Sequence, residues 1–290
     1  MKKRILIIIL FLLIGIGIWR VRIGQDKGPE KDRVGDLNFI KIIPSNTPTI
    51  TPTPTPDYKA IFSSMNAKSG PCRYVPVLMY HHLLSLNEAK KINASWMSVA
   101  PEVFDQQMAY LQKKGYQTMN LAEMMSGLKN NSLPPKPIVI TFDDGYRELF
   151  NNLYPILKKY NFKATLFLIS QFIGGERYLD WWQIKEMVNS GLVEIGDHTL
   201  NHPSLLKNGE EEEKNQVNGA KMIIEQNLGR QVNVFAYPYG SYNQTSEKIL
   251  KEGNFVAAVT TQRGNPVCVG LPYEIPRIRI GNVPLSGYGL

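Results

Sequence analysis

The alternation of strand-like runs with helix-like segments is the feature that most restricts how this chain can fold. From residue 76 onward, short apolar runs rich in β-branched and aromatic residues are followed by longer segments with helical periodicity. The strand-like runs lie at 76–80, 116–121, 137–142, 164–169, 193–198, 232–237, 255–260 and 275–280. The helix-like segments lie near 101–114, 121–130, 146–160, 181–190, 209–228 and 243–253. This order predicts an α/β fold, with a parallel sheet and helices outside it.

Several of the predicted strands end in residues suited to catalysis. Because the carboxyl ends of parallel strands open on one face of a barrel, residues far apart in the sequence are expected to meet there. Each end taken alone has a plain structural explanation, such as a hydrogen-bonded histidine or a turn. A functional site is favoured because all four strand ends are predicted to meet on the same face. The four ends are Tyr80-His81-His82, Asp143-Asp144, Asp197-His198 and Tyr237-Pro238-Tyr239-Gly240.

The paired carboxylates Asp143 and Asp144 indicate a bound cation. Two adjacent carboxylates at the mouth of a core repel each other unless a positive charge neutralises them. The chain has four histidines, which fall as His81-His82 and as His198 with His202. One aspartate and two histidines at strand ends would form an open three-ligand site that leaves a position for water or substrate. A divalent metal site is therefore predicted.

Two motifs of this chain resemble those of the polysaccharide deacetylases of carbohydrate esterase family 4, which share the NodB-type domain. The motifs are Thr-Phe-Asp-Asp-Gly at 141–145 and His-Thr-Leu-Asn-His at 198–202, and the similarity covers roughly residues 75–285. The resemblance implies a distorted (β/α) barrel with fewer than eight regular strands.

The resemblance also implies roles for individual residues. Asp143 would be the general base, and the backbone N–H of Tyr239 would stabilise the oxyanion. Asp144, His198 and His202 would hold a divalent metal, zinc first, with cobalt, nickel or manganese as alternatives.

The chain departs from the family pattern in two places. Ala236 stands where the third motif normally has an arginine, and the late motifs that supply a C-terminal histidine are missing. His81 is therefore predicted as the general acid, as in the branch that includes the poly-N-acetylglucosamine deacetylases, while His82 would give structural support. Arg277 and Arg279 are predicted to point to opposite faces of the last strand, so that one of them could replace the missing arginine. The alternative is that each arginine forms a salt bridge that faces solvent.

The N-terminal residues predict export. Residues 1–23 contain Lys2-Lys3-Arg4 and the uncharged run 5–19, which predicts a membrane anchor or signal segment. An uncleaved anchor is favoured because no small-x-small cleavage motif follows, whereas cleavage would make the domain secreted. Residues 24–70 include a Thr-Pro repeat and predict a disordered stalk. The catalytic domain is assigned to residues 71–290 and placed outside the cell membrane.

Charge, cysteines and tryptophans add further expectations. Of the formal net charge of +8, residues 1–56 hold +5, from nine Lys and Arg against four Asp and Glu. The rest of the chain therefore carries only +3, which argues against a nucleic-acid partner.

Cys72 and Cys268 would form a disulfide outside the cytoplasm or remain two buried thiols. Trp181 and Trp182 suit core packing better than a sugar platform. A monomer is expected.

The resemblance implies a metal-dependent hydrolase that removes N-acetyl groups from N-acetylglucosamine units of a cell-wall or extracellular polysaccharide. One alternative is an O-acetyl esterase acting on a polysaccharide such as acetylxylan, because the motifs do not distinguish an amide from an ester. The other is a catalytically dead surface protein that binds carbohydrate. This last alternative is disfavoured because every predicted metal ligand is present.

Overall fold

The computed structural model describes residues 58–207 and 209–290. The predicted membrane segment and the Thr-Pro repeat lie outside these residues. No helix within the described ranges combines the length and the apolar character needed to cross a membrane.

A closed parallel barrel forms the centre of the domain. The strands of the described ranges are β1 (Cys72–Tyr74), β2 (Val77–Tyr80), β3 (His82–Leu83), β4 (Ser98–Val99), β5 (Gln117–Met119), β6 (Pro137–Phe142), β7 (Ala164–Leu168), β8 (Val193–Asp197), β9 (Val234–Ala236), β10 (Ala257–Arg263), β11 (Pro266–Cys268) and β12 (Ile275–Arg279). Seven of them pair in the order β2-β12-β10-β9-β8-β7-β6, and β6 pairs back to β2. Strand β5 pairs with the first half of β6. The predicted α/β barrel is thus confirmed.

Helices cover the outside of the barrel. The helices of the described ranges are α1 (Tyr58–Ser69), α2 (Leu86–Lys91), α3 (Pro101–Lys113), α4 (Leu121–Lys129), α5 (Leu149–Asn152), α6 (Tyr154–Tyr160), α7 (Trp181–Asn189), α8 (Glu210–Leu228) and α9 (Gln244–Glu252). The single helix predicted at 146–160 is instead the two helices α5 and α6. Pro155 lies in the first turn of α6. Because proline has no N–H to donate to the preceding turn, it interrupts a continuous helix there.

The barrel strands are buried on both faces, which explains why the sequence shows continuous apolar runs instead of alternation. One core fills the barrel interior and includes Val77, Val139, Phe167 and Val234. A second core, which includes Ile138, Ile140 and other strand residues, packs beneath the helices. This two-sided burial holds the strand ends rigidly, and the site residues follow directly from those ends.

The predicted stalk boundary at residue 70 is wrong for its last residues, because α1 occupies Tyr58–Ser69. This segment follows the Thr-Pro repeat and contains no proline, so a helix can form. The helix end is tied to the barrel: Asn66 Oδ1 accepts from the N–H of Cys72 at 2.6 Å, and Ser69 O accepts from the N–H of Gly270 at 2.6 Å. The folded part therefore begins before residue 71.

Cys72 and Cys268 form a disulfide, so the alternative of two buried thiols is wrong. The two residues lie directly opposite each other in the antiparallel pair of β1 and β11. They are 196 positions apart in the sequence, so the bond closes a loop that contains nearly the whole barrel. Such a long loop restricts the unfolded chain strongly. The bond lies before the start of β2, at the end of the barrel opposite the carboxyl ends of the strands.

Candidate active site

The carboxyl ends of the strands surround a cavity of about 290 Å³. All six residues that the sequence analysis assigned to catalysis or metal binding line it. They are His81 after β2, Asp143 and Asp144 after β6, His198 and His202 after β8, and Tyr239 after β9.

Asp144, His198 and His202 form a cluster of possible metal ligands. One ligand atom from each residue lies within 4.8 Å of the other two. The Nε2 atom of His198 is 3.5 Å from Asp144 Oδ1, and the Nε2 atom of His202 is 3.6 Å from it. The three residues come from two different loops, so their approach depends on the barrel.

The surroundings of this cluster fit a divalent cation. Asp144 Oδ1 is buried and has no hydrogen-bond partner among the described residues. An unsatisfied buried oxygen costs about 1–3 kcal/mol, and a cation would remove that cost. His198 Nδ1 donates to Ala236 O at 2.7 Å, which leaves the Nε2 lone pair free to bind a metal.

The protonation state of His202 also suits a ligand. Burial, assisted by the neighbouring His198, lowers the pKa of His202 to about 4. The imidazole is therefore neutral at neutral pH. Metal ligation requires this form, because a protonated nitrogen has no lone pair to share.

Backbone strain is concentrated at the site. Non-glycine residues with positive φ cost about 1–3 kcal/mol each and persist only where the surrounding structure enforces them. Their presence in the loops that carry the predicted ligands indicates that these loops are held for function. The four at the site are Asp144 (φ 73°), Thr199 (φ 69°), His202 (φ 66°) and Tyr239 (φ 60°).

The loop after β8 is held by its own side chains. Asp197 Oδ1 accepts from the N–H of Thr199 at 2.7 Å, and Thr199 Oγ1 accepts from the N–H of His202 at 3.0 Å. These bonds fold the five residues from His198 to His202 back on themselves. As a result both imidazoles face Asp144.

Arg277 is the arginine that lies beside Asp143. Its Nη1 donates to Asp143 Oδ1 and its Nη2 donates to Asp143 Oδ2, both at 2.7 Å. Nη1 also donates to Thr141 Oγ1 at 3.0 Å, and Nε donates to Thr260 O at 2.8 Å. The guanidinium is fully buried. It therefore fixes the orientation of the Asp143 carboxylate by a two-point contact.

The same contact determines the charge of Asp143. Burial favours the neutral acid, but the charge and hydrogen bonds of Arg277 outweigh it and hold the pKa of Asp143 below its usual range. Asp143 is thus ionised at neutral pH, which is the state that a proton acceptor requires.

The prediction that Arg277 and Arg279 point to opposite faces is wrong. Residues two apart on a strand lie on the same face. Arg277 reaches Asp143, and Arg279 lines the same cavity further towards its mouth. The position that Ala236 leaves without an arginine side chain is therefore served by Arg277, from a strand that is distant in the sequence.

Replacing Arg277 with methionine is expected to destabilise the fold and alter the pH dependence together. Removing one partner of a buried ion pair costs about 3–5 kcal/mol, because the remaining charge is left unpaired. The pKa of Asp143 should rise. If Asp143 is the predicted general base, which works only when ionised, the acidic limb of the pH–rate profile should therefore move to higher pH. Urea unfolding and pH–rate profiles measure the two effects.

The double variant of Arg277→Met with Asp143→Asn is the control, because it removes both charges and should recover part of the lost stability. An Arg277→Met protein with wild-type unfolding free energy and an unshifted acidic limb would contradict this account.

His81 and His82 have different surroundings. His81 Nε2 lies 3.8 Å from Asp143 Oδ2 and faces the cavity. Burial is the largest influence on His81 and lowers its pKa, although the nearby carboxylates partly oppose this. The ring of His82 stacks on Tyr146 at 3.6 Å between centroids, and its Nδ1 lies 2.6 Å from Glu148 Oε1. His82 therefore supports the loop that follows the two aspartates.

The two adjacent tryptophans differ as well. Trp181 is partly buried against the core, as predicted. Trp182 is 58% exposed and meets Phe150 edge-on at 5.0 Å, so the core-packing prediction is wrong for it. Neither residue lines the cavity described above.

Comparison with known proteins shows the family to which this chain belongs. The polysaccharide deacetylase family model matches residues 130–258. YxkH of Bacillus subtilis, assigned as a polysaccharide deacetylase, is 31% identical over 207 residues, which are 71% of each chain. The poly-β-1,6-N-acetyl-D-glucosamine N-deacetylase of Staphylococcus aureus is 27% identical over 198 residues, covering 64% of this chain and 68% of that one.

Solved structures agree with the sequence relatives. The Streptococcus pyogenes deacetylase PplD, solved in complex with acetate, superposes with a TM-score of 0.67 at 33% identity, covering 72% of this chain and 92% of that one. The chain belongs to the polysaccharide deacetylase family.

Proposed function

We propose that this protein is a metal-dependent deacetylase that removes N-acetyl groups from N-acetylglucosamine units of a cell-wall or extracellular polysaccharide. The observation that carries the proposal is that an ionised, arginine-held carboxylate and a histidine lie beside a cluster of three possible metal ligands. Among the relatives, the Staphylococcus aureus protein is named for N-deacetylation of poly-β-1,6-N-acetyl-D-glucosamine. That name supports an amide substrate.

Asp144, His198 and His202 would hold the metal, with zinc the first candidate and cobalt, nickel or manganese the others. When bound, a divalent metal supplies Lewis-acid polarisation of the acyl group and lowers the pKa of a water molecule. The remaining steps fall to the side chains and backbone of the chain itself.

Asp143 accepts a proton from the attacking water as the new C–O bond forms. Arg277 holds the Asp143 carboxylate in place during this transfer. The N–H of Tyr239 is a candidate donor to the developing oxyanion. When the C–N bond breaks, His81 donates a proton to the departing nitrogen, so that acetate and a glucosamine unit leave.

The disulfide supports a location outside the cytoplasm. Disulfides form and persist in oxidising compartments and are rare in the cytoplasm. Together with the apolar segment at 5–19 and the Thr-Pro repeat, Cys72–Cys268 supports a catalytic domain exported across the cell membrane. We propose that it acts as a membrane-anchored monomer, without a nucleic-acid partner.

Acetate release tests the proposed reaction. The full-length protein, loaded with each candidate metal in turn, is incubated with acetylated chitooligosaccharide, β-1,6-linked N-acetylglucosamine oligomer, peptidoglycan and acetylxylan. We expect metal-dependent acetate release from at least one N-acetylated substrate, and none from metal-stripped protein. Release from acetylxylan alone would replace the proposal with an O-acetyl esterase. Binding of oligomer without any release would replace it with a dead carbohydrate-binding protein.

A further inference from the structure

The mouth of the cavity carries an exposed tryptophan that no packing requirement explains. Trp96 is 67% exposed and lies in the 3₁₀ turn Ser95–Met97, just before β4. The turn is fixed from below, where Ser98 Oγ donates to Ala94 O at 2.8 Å. A large indole held at the mouth of the cavity leaves apolar area in water, so a ligand that covers it gains affinity.

Arg279 lies on the face of this indole. Its guanidinium carbon is 5.2 Å from the centroid of the Trp96 ring, within the range of a cation–π contact. Unlike Arg277, which is paired with Asp143, Arg279 forms no ion pair with a carboxylate closer than 4.0 Å in the described part of the chain. The cavity mouth therefore carries an unpaired positive charge beside an exposed aromatic ring.

A second exposed aromatic lies on another wall of the same cavity. Tyr239, which follows β9, is 65% exposed, and its ring centroid is 4.6 Å from that of His202. Arg279 instead ends β12, which pairs with β2 just before His81, and Trp96 packs on its guanidinium. At about 290 Å³ the cavity is at the small end of ligand sites, which suits one sugar unit inside and its neighbours on the rim.

We propose that Trp96 and Arg279 form the adjoining sugar subsite, and that this subsite accepts a neutral N-acetylglucosamine unit but rejects a glucosamine unit already made cationic by deacetylation. This subsite rests on the proposed deacetylase function and adds to it a preference for a neutral neighbouring sugar unit over a cationic one. The indole stacks on the apolar face of the neighbouring sugar, and the guanidinium repels an ammonium group there. The enzyme would thus space its deacetylations along the polymer instead of removing acetyl groups from consecutive units.

The size of the discrimination follows from the charge separation. Two like charges about 5 Å apart at a hydrated surface repel enough to lower affinity about fivefold, and more where water is excluded. Covering roughly 60 Å² of the indole with sugar contributes about tenfold in affinity. The repulsion between the guanidinium and an ammonium group is exposed to solvent, so it should weaken as ionic strength rises. The contribution of stacking on the indole should not change with ionic strength.

The test uses two β-1,6-linked pentamers, one fully N-acetylated and one with a single glucosamine next to the central unit. For the wild-type protein we expect kcat/KM for acetate release to be at least about fivefold higher on the fully acetylated pentamer at low salt. Arg279→Gln should bring this ratio close to one. Trp96→Ala should lower kcat/KM on the fully acetylated pentamer about tenfold.

Matched control variants are available outside the cavity. Trp182→Ala removes an exposed tryptophan on α7, and Arg230→Gln removes an exposed arginine that bonds Asn189. Both should keep the wild-type rate and the wild-type ratio. If Arg279→Gln left the ratio unchanged, or if Trp96→Ala behaved like Trp182→Ala, the subsite would be overturned.

A binding measurement separates this proposal from the proposed function. Calorimetric titration of both pentamers into the full-length protein reports the subsite without requiring turnover. Equal affinity of the wild-type protein for the two pentamers would overturn the subsite even if acetate is released. A fivefold preference for the fully acetylated pentamer, lost in Arg279→Gln, would support the subsite even if no acetate were released.

Discussion

Alanine in place of His198 or His202 is expected to abolish metal retention and acetate release together. Each histidine supplies one of the three side chains of the proposed metal site, and no other histidine or carboxylate in the described residues joins this cluster. Removing a side chain that only hydrogen-bonds to a metal ligand costs about 10–100-fold in metal affinity. Removing the ligand itself should therefore cost more. Metal content after dialysis and the acetate rate should therefore both fall to those of metal-stripped protein.

His82→Ala is the matched control for this prediction. His82 is also a buried histidine next to the cavity, but it bonds Glu148 and takes no part in the cluster. The His82→Ala protein should keep its metal. A His202→Ala protein that still holds one equivalent of metal and turns over normally would disprove the assignment.

Asparagine at Asp143 and at Asp144 should give opposite results, although the two residues are adjacent. Asp143 is held by Arg277, whereas Asp144 Oδ1 faces the two histidines. Asp143→Asn should keep the metal and lose about 10²–10⁴ in kcat, because it removes the proposed proton acceptor. Asp144→Asn should weaken metal binding, and added metal should restore part of its activity.

Unfolding free energies give a second comparison of the two variants. Asp143→Asn leaves the buried Arg277 with a neutral partner, so its unfolding free energy should fall. Asp144→Asn keeps the ion pair between Arg277 and Asp143, so this loss should not appear in it. Reversed outcomes, with metal lost from Asp143→Asn and a near-normal rate for Asp144→Asn, would exchange the two roles.

His81 adds a distinct pH signature to the Asp143 result. A general acid works when protonated, so the rate falls as pH rises through its pKa. Because burial lowers the pKa of His81, this alkaline limb should lie below the usual histidine range. His81→Ala should be slow with its metal retained, as Asp143→Asn is, and should lose that limb.

The parallel sheet was predictable because strands buried on both faces leave long apolar runs, and these runs are visible without any knowledge of their partners. Its closure into a barrel was implied by the family resemblance. The convergence of His81, Asp143 and His198 followed from one rule about parallel strands. Strands of two or three residues, such as β3 and β11, were not predicted because so short a run shows no periodicity. Helix α1 was not predicted because the disorder expected of the Thr-Pro repeat was extended to all of residues 24–70.

The partner of Asp143 was harder to identify. Arg277 lies 134 positions away in the sequence, and only strand pairing and barrel closure bring it to the carboxylate. Both arginines of this strand are recognisable as candidates in the sequence, but the prediction put them on opposite faces. The correct period of two would have placed both on the side of the site. It would not have shown which of them reaches Asp143, because that depends on the depth of each residue in the barrel.

The disulfide between β1 and β11 has a mechanical consequence. The chain enters the barrel through α1 and Cys72, at the end opposite the cavity, so the mouth of the cavity faces away from the point of entry. If the domain is tethered through its N-terminal segment, a pull on a bound polymer passes from the cavity through the barrel to Cys72. Without the disulfide, β1 would be held to β11 only by the hydrogen bonds of two three-residue strands, which can separate one at a time. The covalent bond to Cys268 instead divides the load between the segment before β2 and the segment before β12.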